Sequence, residues 1–121
     1  MLGVNINDDL QPFTDQILNG LKTIETRNKN TLKSVINKTV GIIKTGKNKQ
    51  AFCVGLMVLK EPIVYLNKPE FRKDQKKHLI NPESKYDFLE GKKFGYPIAI
   101  AYRFKTPIPV YSRGIVIRKI T

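Results

Sequence analysis

Gly20-Leu21-Lys22-Thr23-Ile24-Glu25-Thr26-Arg27 is the stretch whose reading decides the fold. Upstream of it, Leu10, Phe13, Ile17, Leu18 and Leu21 recur at helical spacing, with Asp15 early in the helix, where a negative charge suits the dipole. Gly20 is placed as the C′ residue that stops that helix. From Lys22 the period changes to two. Lys22, Ile24 and Thr26 fall on one strand face, and Thr23, Glu25 and Arg27 on the other. Two cations and a carboxylate around one buried-type isoleucine exceed what a plain surface strand needs. The segment therefore reads as the site-bearing element at the mouth of a small barrel, presenting Lys22, Thr23, Glu25 and Arg27 to a ligand.

Working outward, Asn28 to Asn30 make a polar turn, and Leu32, Val35 and Ile36 suggest a short helix. Thr39–Thr45 and Ala51–Lys60 read as strands joined by a hairpin at Gly46-Lys47-Asn48-Lys49. The second is apolar on both faces and is expected to be central. Ile63–Leu66 is a further short strand. Pro69 near a helix start, Glu70 in the first turn, and Lys76 and Lys77 in the last agree with a helix dipole. On that helix Phe71, His78 and Leu79 share one face; Arg72, Lys73, Lys76 and Lys77 share the other. Residues 81–96 read as irregular. Ile98, Ile100, Tyr102 and Phe104 alternate as a strand that Pro107 and Pro109 are expected to break, and Ile115–Ile120 is the last strand. The sum is an α+β fold: a small, mostly antiparallel barrel of five to six strands with flanking helices, in one domain over residues 1–121.

The chain of 121 residues carries a formal net charge of +12. Residues 1–27 hold −2 of it and the remainder +14. Such a field favours polyanionic partners and speeds their encounter. An excess of lysine, asparagine and isoleucine is also what an AT-rich genome writes by codon bias alone. No apolar run approaches the ~20 residues of a membrane span. The first residues, Met-Leu-Gly-Val-Asn-Ile-Asn-Asp-Asp, lack the basic start and apolar run of a signal peptide. One cysteine, Cys53, excludes an internal disulfide and reads as a small core residue, in keeping with a reducing, cytoplasmic setting. With one His and one Cys there is no zinc ligand set, and neither metal nor cofactor is expected.

The octapeptide resembles the glycine-x-lysine-(x)4-arginine signature of ASCH domains, which belong to the PUA-like superfamily. Gln16-Ile17-Leu18-Asn19 resembles the first helix of that family. Val40-Gly41-Ile42-Ile43-Lys44-Thr45-Gly46 is similar to its next strand. Lys77-His78-Leu79-Ile80, Ser84-Lys85-Tyr86-Asp87 and Lys93-Phe94-Gly95-Tyr96-Pro97 resemble a later block. The resemblance implies a PUA-like pseudobarrel with a cleft beside the motif, and recognition of RNA or a modified nucleoside. One branch of the family hydrolyses N4-acetylcytidine with the motif lysine, a threonine three positions later and a distal glutamate; ribonuclease activity is attributed to some members. Lys22 maps onto the lysine. Glu25 stands where that branch has its threonine, with Thr23 and Thr26 off register beside it. For the distal acid Glu83, Glu90 and Asp87 remain open.

The residues themselves suggest the following chemistry. Lys22 can hold a phosphate or carbonyl oxygen as a cation, or serve as a base if desolvated. Thr23 is a nucleophile only with a base in reach, and Glu25 is a general acid or base, or an ion-pair partner. Arg27 suits bidentate anion binding. On a regular strand Lys22 and Glu25 lie on opposite faces, so a joint role requires a bulge, a strand end or strong twist. Lys44 is a candidate for the same cleft. Tyr86 and Asp87 offer stacking and a carboxylate for a cytosine amine. Arg72, Lys73, Lys76 and Lys77 form either a phosphate track or a solvated helix face. His78 reads as a packing histidine. The expected function is RNA or modified-nucleotide binding; the alternatives are a hydrolase of N4-acetylcytidine-type nucleosides or a ribonuclease, and a non-catalytic interaction domain.

Overall fold

Val4 and Ile6, at 0% and 2% exposure, alternate with Asn5 and Asn7 and anchor a first strand, β1 (Leu2–Asn7), that the sequence reading did not assign. The computed structural model describes residues 1–120. After β1 come α1 (Phe13–Leu18), β2 (Ile24–Arg27), a 3-10 turn (Lys33–Val35), β3 (Thr39–Thr45), β4 (Ala51–Leu59) and β5 (Ile63–Tyr65). The remaining elements are α2 (Lys68–Lys73), α3 (Gln75–His78), β6 (Lys93–Val110) and β7 (Ile117–Lys119). The strands make one seven-stranded mixed sheet in the order β2-β6-β4-β3-β1-β7, with β5 also on β6, curled into a half-barrel. The strand count exceeds the expected five to six because of β1. Its pairing with β3, Gly3 opposite Gly41 through Asn7 opposite Thr45, is the parallel one; the others are antiparallel.

The helix stop at Gly20 has a physical cause. Gly20 has φ +76°, and the amides of Leu21 and Lys22 both return to the Gln16 carbonyl at 2.9 Å, a Schellman-type closure. The helix is shorter than its apolar spacing suggested, and Leu10 and Leu21 are exposed. β3 has the predicted bounds, and β4 is central between β3 and β6. The single helix expected after Pro69 is divided at Asp74, whose carboxylate accepts the Tyr65 hydroxyl at 2.5 Å.

The expected break at Pro107 and Pro109 does not occur: β6 runs for 18 residues. Proline gives no N–H to a ladder, so it must sit where none is needed. The β4–β6 register jumps from Cys53 opposite Ile108 to Gly55 opposite Arg103, and Pro107 lies in that bulge. The alternation along β6 also faces the other way from a core strand. Ile100 and Tyr102 are 63% and 61% exposed, while Ala101 packs on the core. That core gathers Val4, Ile6, Phe13, Ile17, Ile42, Met57, Leu59, Phe71 and Tyr96 under the curl of the sheet. A smaller cluster of Ile43, Ala51, Cys53 and Val110 lies on the opposite face. Among the described residues no helix is long and apolar enough to cross a membrane.

Candidate functional site

The chain after Gly20 does not join the sheet at Lys22. β2 begins at Ile24, and residues 21–23 arrive as irregular backbone pinned by Thr23 N–H to the Lys77 carbonyl at 2.8 Å. This late start removes the opposite-face constraint, and Lys22 Nζ lies 3.8 Å from Glu25 Oε1. The Lys22 side chain is 0% exposed. Its ammonium donates to the His78 carbonyl and sits 4.8 Å from the Phe13 ring centre. Burial pushes its pKa down to about 8; Glu25 pulls it back up, and Arg27 and Lys93 add to the fall.

Glu25, 6% exposed, shares a strand face with Arg27. Arg27 Nη2 donates to Glu25 Oε2 at 2.8 Å and to the Asn5 carbonyl at 2.9 Å. Arg27 Nε is buried and unpartnered among the described residues. A cleft of about 420 Å³ opens against this pair. Its walls are Glu25, Thr26, Arg27 and Asn28 of the motif strand and turn; Asn5, Ile6 and Asn7 of β1; Phe13, Thr45, Ile80 and Tyr86; and Lys93, Ile115 and Arg118. Three cations thus face one carboxylate. Lys93 is 4% exposed, and its ammonium sits 5.4 Å from the Phe71 ring centre. Burial lowers its pKa to about 8, with Asp87 and Glu25 opposing the fall and Arg27 adding to it.

Of the residues expected at the site, Glu25, Arg27 and Tyr86 line this cleft. Lys22 does not: it lies behind Glu25, with no surface for a ligand to touch. Thr23 is exposed but is not part of the cleft wall. Lys44 lines a different cavity of about 570 Å³ with Asp8, Asp9, Phe52 and Pro107, which meets the first only at Thr45. Asp87 is a correction. It is 2% exposed and accepts from Arg72 at 2.6 Å, from the Glu83 amide at 2.7 Å and from the Phe88 amide at 2.8 Å. Burial acts to raise its pKa, but Arg72 and the two amides hold it down at about 2. Those three bonds tie it to the protein, so it is not poised for a cytosine amine. Arg72 is correspondingly committed to Asp87, leaving Lys73, Lys76 and Lys77 as the exposed basic face of α2 and α3, away from the cleft.

Neither Glu83 nor Glu90 reaches the cleft wall, so Glu25 is its one carboxylate among the described residues. His78 is fully buried and stacks on Phe71 with ring centres 4.0 Å apart. Its Nδ1 accepts the Ile80 amide and its Nε2–H meets the Phe71 carbonyl, which fixes a neutral tautomer, and burial lowers its pKa. Among the described residues no group of three His, Cys, Asp or Glu side chains gathers as a metal site requires. Asn5, Lys93 and Arg118 were missed. Lys93 looks solvated in the doublet Lys92-Lys93, and Asn5 and Arg118 meet only through the β1–β7 pairing.

No family model matches this sequence, and no curated protein is significantly similar to it. Solved structures are similar in fold. A crystal structure of a point mutant of an ASCH protein from Zymomonas mobilis superposes with a TM-score of 0.67 at 15% identity, covering 90% of this chain and 72% of that one. The unmutated Zymomonas protein gives 0.63 at 16% identity over 89% and 71%, and a second point mutant gives 0.62 at 18% over 90% and 73%. The chain therefore has the fold of these ASCH structures, an α+β PUA-like pseudobarrel.

Proposed function

We propose that this chain is an ASCH domain that binds RNA or a modified nucleotide in the basic cleft beside Gly20-x-Lys22-(x)4-Arg27. The observation that carries the reading is the cleft wall itself, where Arg27, Lys93 and Arg118 stand against Glu25 alone on a chain of net charge +12. Its volume lies within the range of small-ligand sites. In this reading Lys22 acts from behind, pairing with Glu25 so that Glu25 in turn aligns Arg27. The phosphate or base meets Arg27, Lys93 and Arg118. The test is binding of single-stranded RNA at several salt concentrations. Each phosphate contact contributes about −0.7 to the slope of log affinity against log salt. Arg27→Ala is expected to weaken binding about tenfold or more and to flatten the slope by about one contact. Affinity no better than that of an unrelated protein of equal charge refutes the reading.

A second reading, hydrolysis of an N4-acylated cytidine, is favoured by one observation: a sheltered lysine brought close to neutral pKa beside the cleft's carboxylate. Glu25 is then the group that meets substrate and Lys22 the group that orients it. Release of acetate from N4-acetylcytidine, abolished by Glu25→Gln, is the expected outcome. Turnover no faster than the buffer blank removes this reading.

A further inference from the structure

Asn5 uses all of its polar groups to assemble one wall of the cleft. Its amide donates to the Val116 carbonyl at 2.9 Å, and its side-chain amide donates to the carbonyls of Gly114 at 2.8 Å and Ile115 at 3.0 Å. Its backbone carbonyl accepts Arg27 Nη2 at 2.9 Å, and its Oδ1 accepts Arg118 Nε at 2.8 Å. One residue of β1 therefore holds two guanidinium groups from β2 and β7, elements far apart in the chain. The two cations are not equivalent. Arg27 shares the carboxylate of Glu25, which also faces Lys22. Arg118 has no carboxylate within ion-pair distance among the described residues; its bonds go to Asn5 Oδ1 and, from Nη1, to the Ser112 carbonyl at 2.8 Å. Both acceptors are neutral. Among the described residues Arg118 Nη2 and Arg27 Nη1 make no hydrogen bond, and Arg27 Nε is buried without one.

Two guanidinium groups fixed on one residue repel each other, and a partner with several anionic oxygens relieves that repulsion. Guanidinium forks match phosphate oxygens in pairs. We infer that the Asn5-organised pair of Arg27 and Arg118 is a phosphate subsite, so that the cleft takes phosphorylated nucleotides in preference to free nucleosides. The inference rests on the nucleotide-binding reading above. The rest of the ligand then lies along the remaining wall, against Lys93, Tyr86 and Ile80. The phosphate is either that of a mononucleotide or the backbone of an RNA strand.

The experiment is calorimetric titration of the full chain at physiological salt. The probes are the four common ribonucleosides, their 5′- and 3′-monophosphates, and a four-nucleotide RNA. For a nucleoside that binds, the phosphate is expected to tighten binding by about tenfold or more. Arg118→Gln is expected to remove most of that gain, whereas Lys47→Gln, at the tip of the β3–β4 hairpin, removes the same charge without effect. Arg118→Lys, which keeps the charge and loses the fork, is expected to fall between. A monophosphate that outbinds the tetranucleotide identifies a terminal phosphate; the reverse order identifies the strand backbone. If the native chain binds nucleosides and the phosphate adds less than about twofold, the subsite is wrong and the nucleotide cleft stands. If Lys47→Gln lowers the gain as much as Arg118→Gln does, bulk charge accounts for it and the subsite is also wrong. If no nucleoside, nucleotide or RNA binds, both readings fall. The comparison of nucleoside with nucleotide on the native chain needs no variant, so it decides even if an Arg118 variant fails to fold.

Discussion

Lys22→Met tests whether the motif lysine is a buried charge kept at a cost. Its pKa of about 8 stands well below the ordinary 10.5. At about 1.4 kcal/mol per unit, keeping Lys22 charged below pH 8 costs about 3 kcal/mol. The folded chain holds this proton less tightly than the unfolded chain does. Between pH 8 and 10.5 the unfolded chain therefore carries more protons, and stability rises with pH across that window. Lys93, also at about 8, acts in the same direction. Cys53, Tyr65 and Tyr96 have raised pKa values and act oppositely above about pH 9. The difference between the native chain and Lys22→Met cancels these shared contributions. Urea unfolding at pH 7, 8 and 9.5 is expected to show the native chain gaining about 2 kcal/mol more than the variant between the last two. At pH 7 the variant keeps the Glu25–Arg27 pair but leaves the His78 carbonyl without its donor, so relief of the buried charge and loss of that bond offset and the two chains are expected to lie within about 2 kcal/mol. Parallel pH profiles refute the reasoning. So does a loss above about 3 kcal/mol at pH 7, the mark of a broken pair that was net stabilising.

Other perturbations have equally definite outcomes. Asp87→Asn removes a buried carboxylate bonded to Arg72 and two amides and is expected to cost about 3 kcal/mol at pH 7 by urea unfolding. Because the folded pKa of about 2 lies below the ordinary 3.8, that contribution is complete above 3.8 and is lost as pH falls toward 2, so the gap to the variant narrows between about pH 4 and 2. Gly20→Ala places a Cβ where no atom lies within 4 Å, so its cost is backbone strain at φ +76° alone, about 1 kcal/mol by thermal unfolding. Tyr96→Phe strips a hydroxyl that donates to Asn30 Oδ1 at 2.6 Å and accepts the Leu32 amide at 3.3 Å; about 1–2 kcal/mol is expected.

Locally determined features were legible in the sequence. Gly20 marked the helix stop because only a residue at ease with positive φ closes a helix in that way. Thr39–Thr45 and the apolar β4 announced themselves by composition and a polar hairpin between them. Features set by distant pairing were not legible. β1 is six residues long and is held by β3 and β7, so its short alternation gave no signal. The prolines of β6 looked like breakers because nothing local reveals that the ladder skips Pro107. The site divides along the same line. Glu25 and Arg27 were legible as one strand face. Lys22 was misplaced into the cleft because the strand starts two residues later than its alternation implied. Asp87 looked free because Arg72, fifteen positions away, is a tertiary partner. Asn5 and Arg118, 113 positions apart, meet only once the sheet has formed.

The central claim is the location of the ligand, and chemical-shift mapping of the isotope-labelled chain with single-stranded RNA tests it most directly. The account predicts that shifts concentrate on Glu25–Asn28, Asn5, Lys93 and Arg118. Shifts confined to Lys73, Lys76 and Lys77 on the exposed face of α2 and α3, or to the cavity around Lys44 and Phe52, with the cleft silent, contradict it.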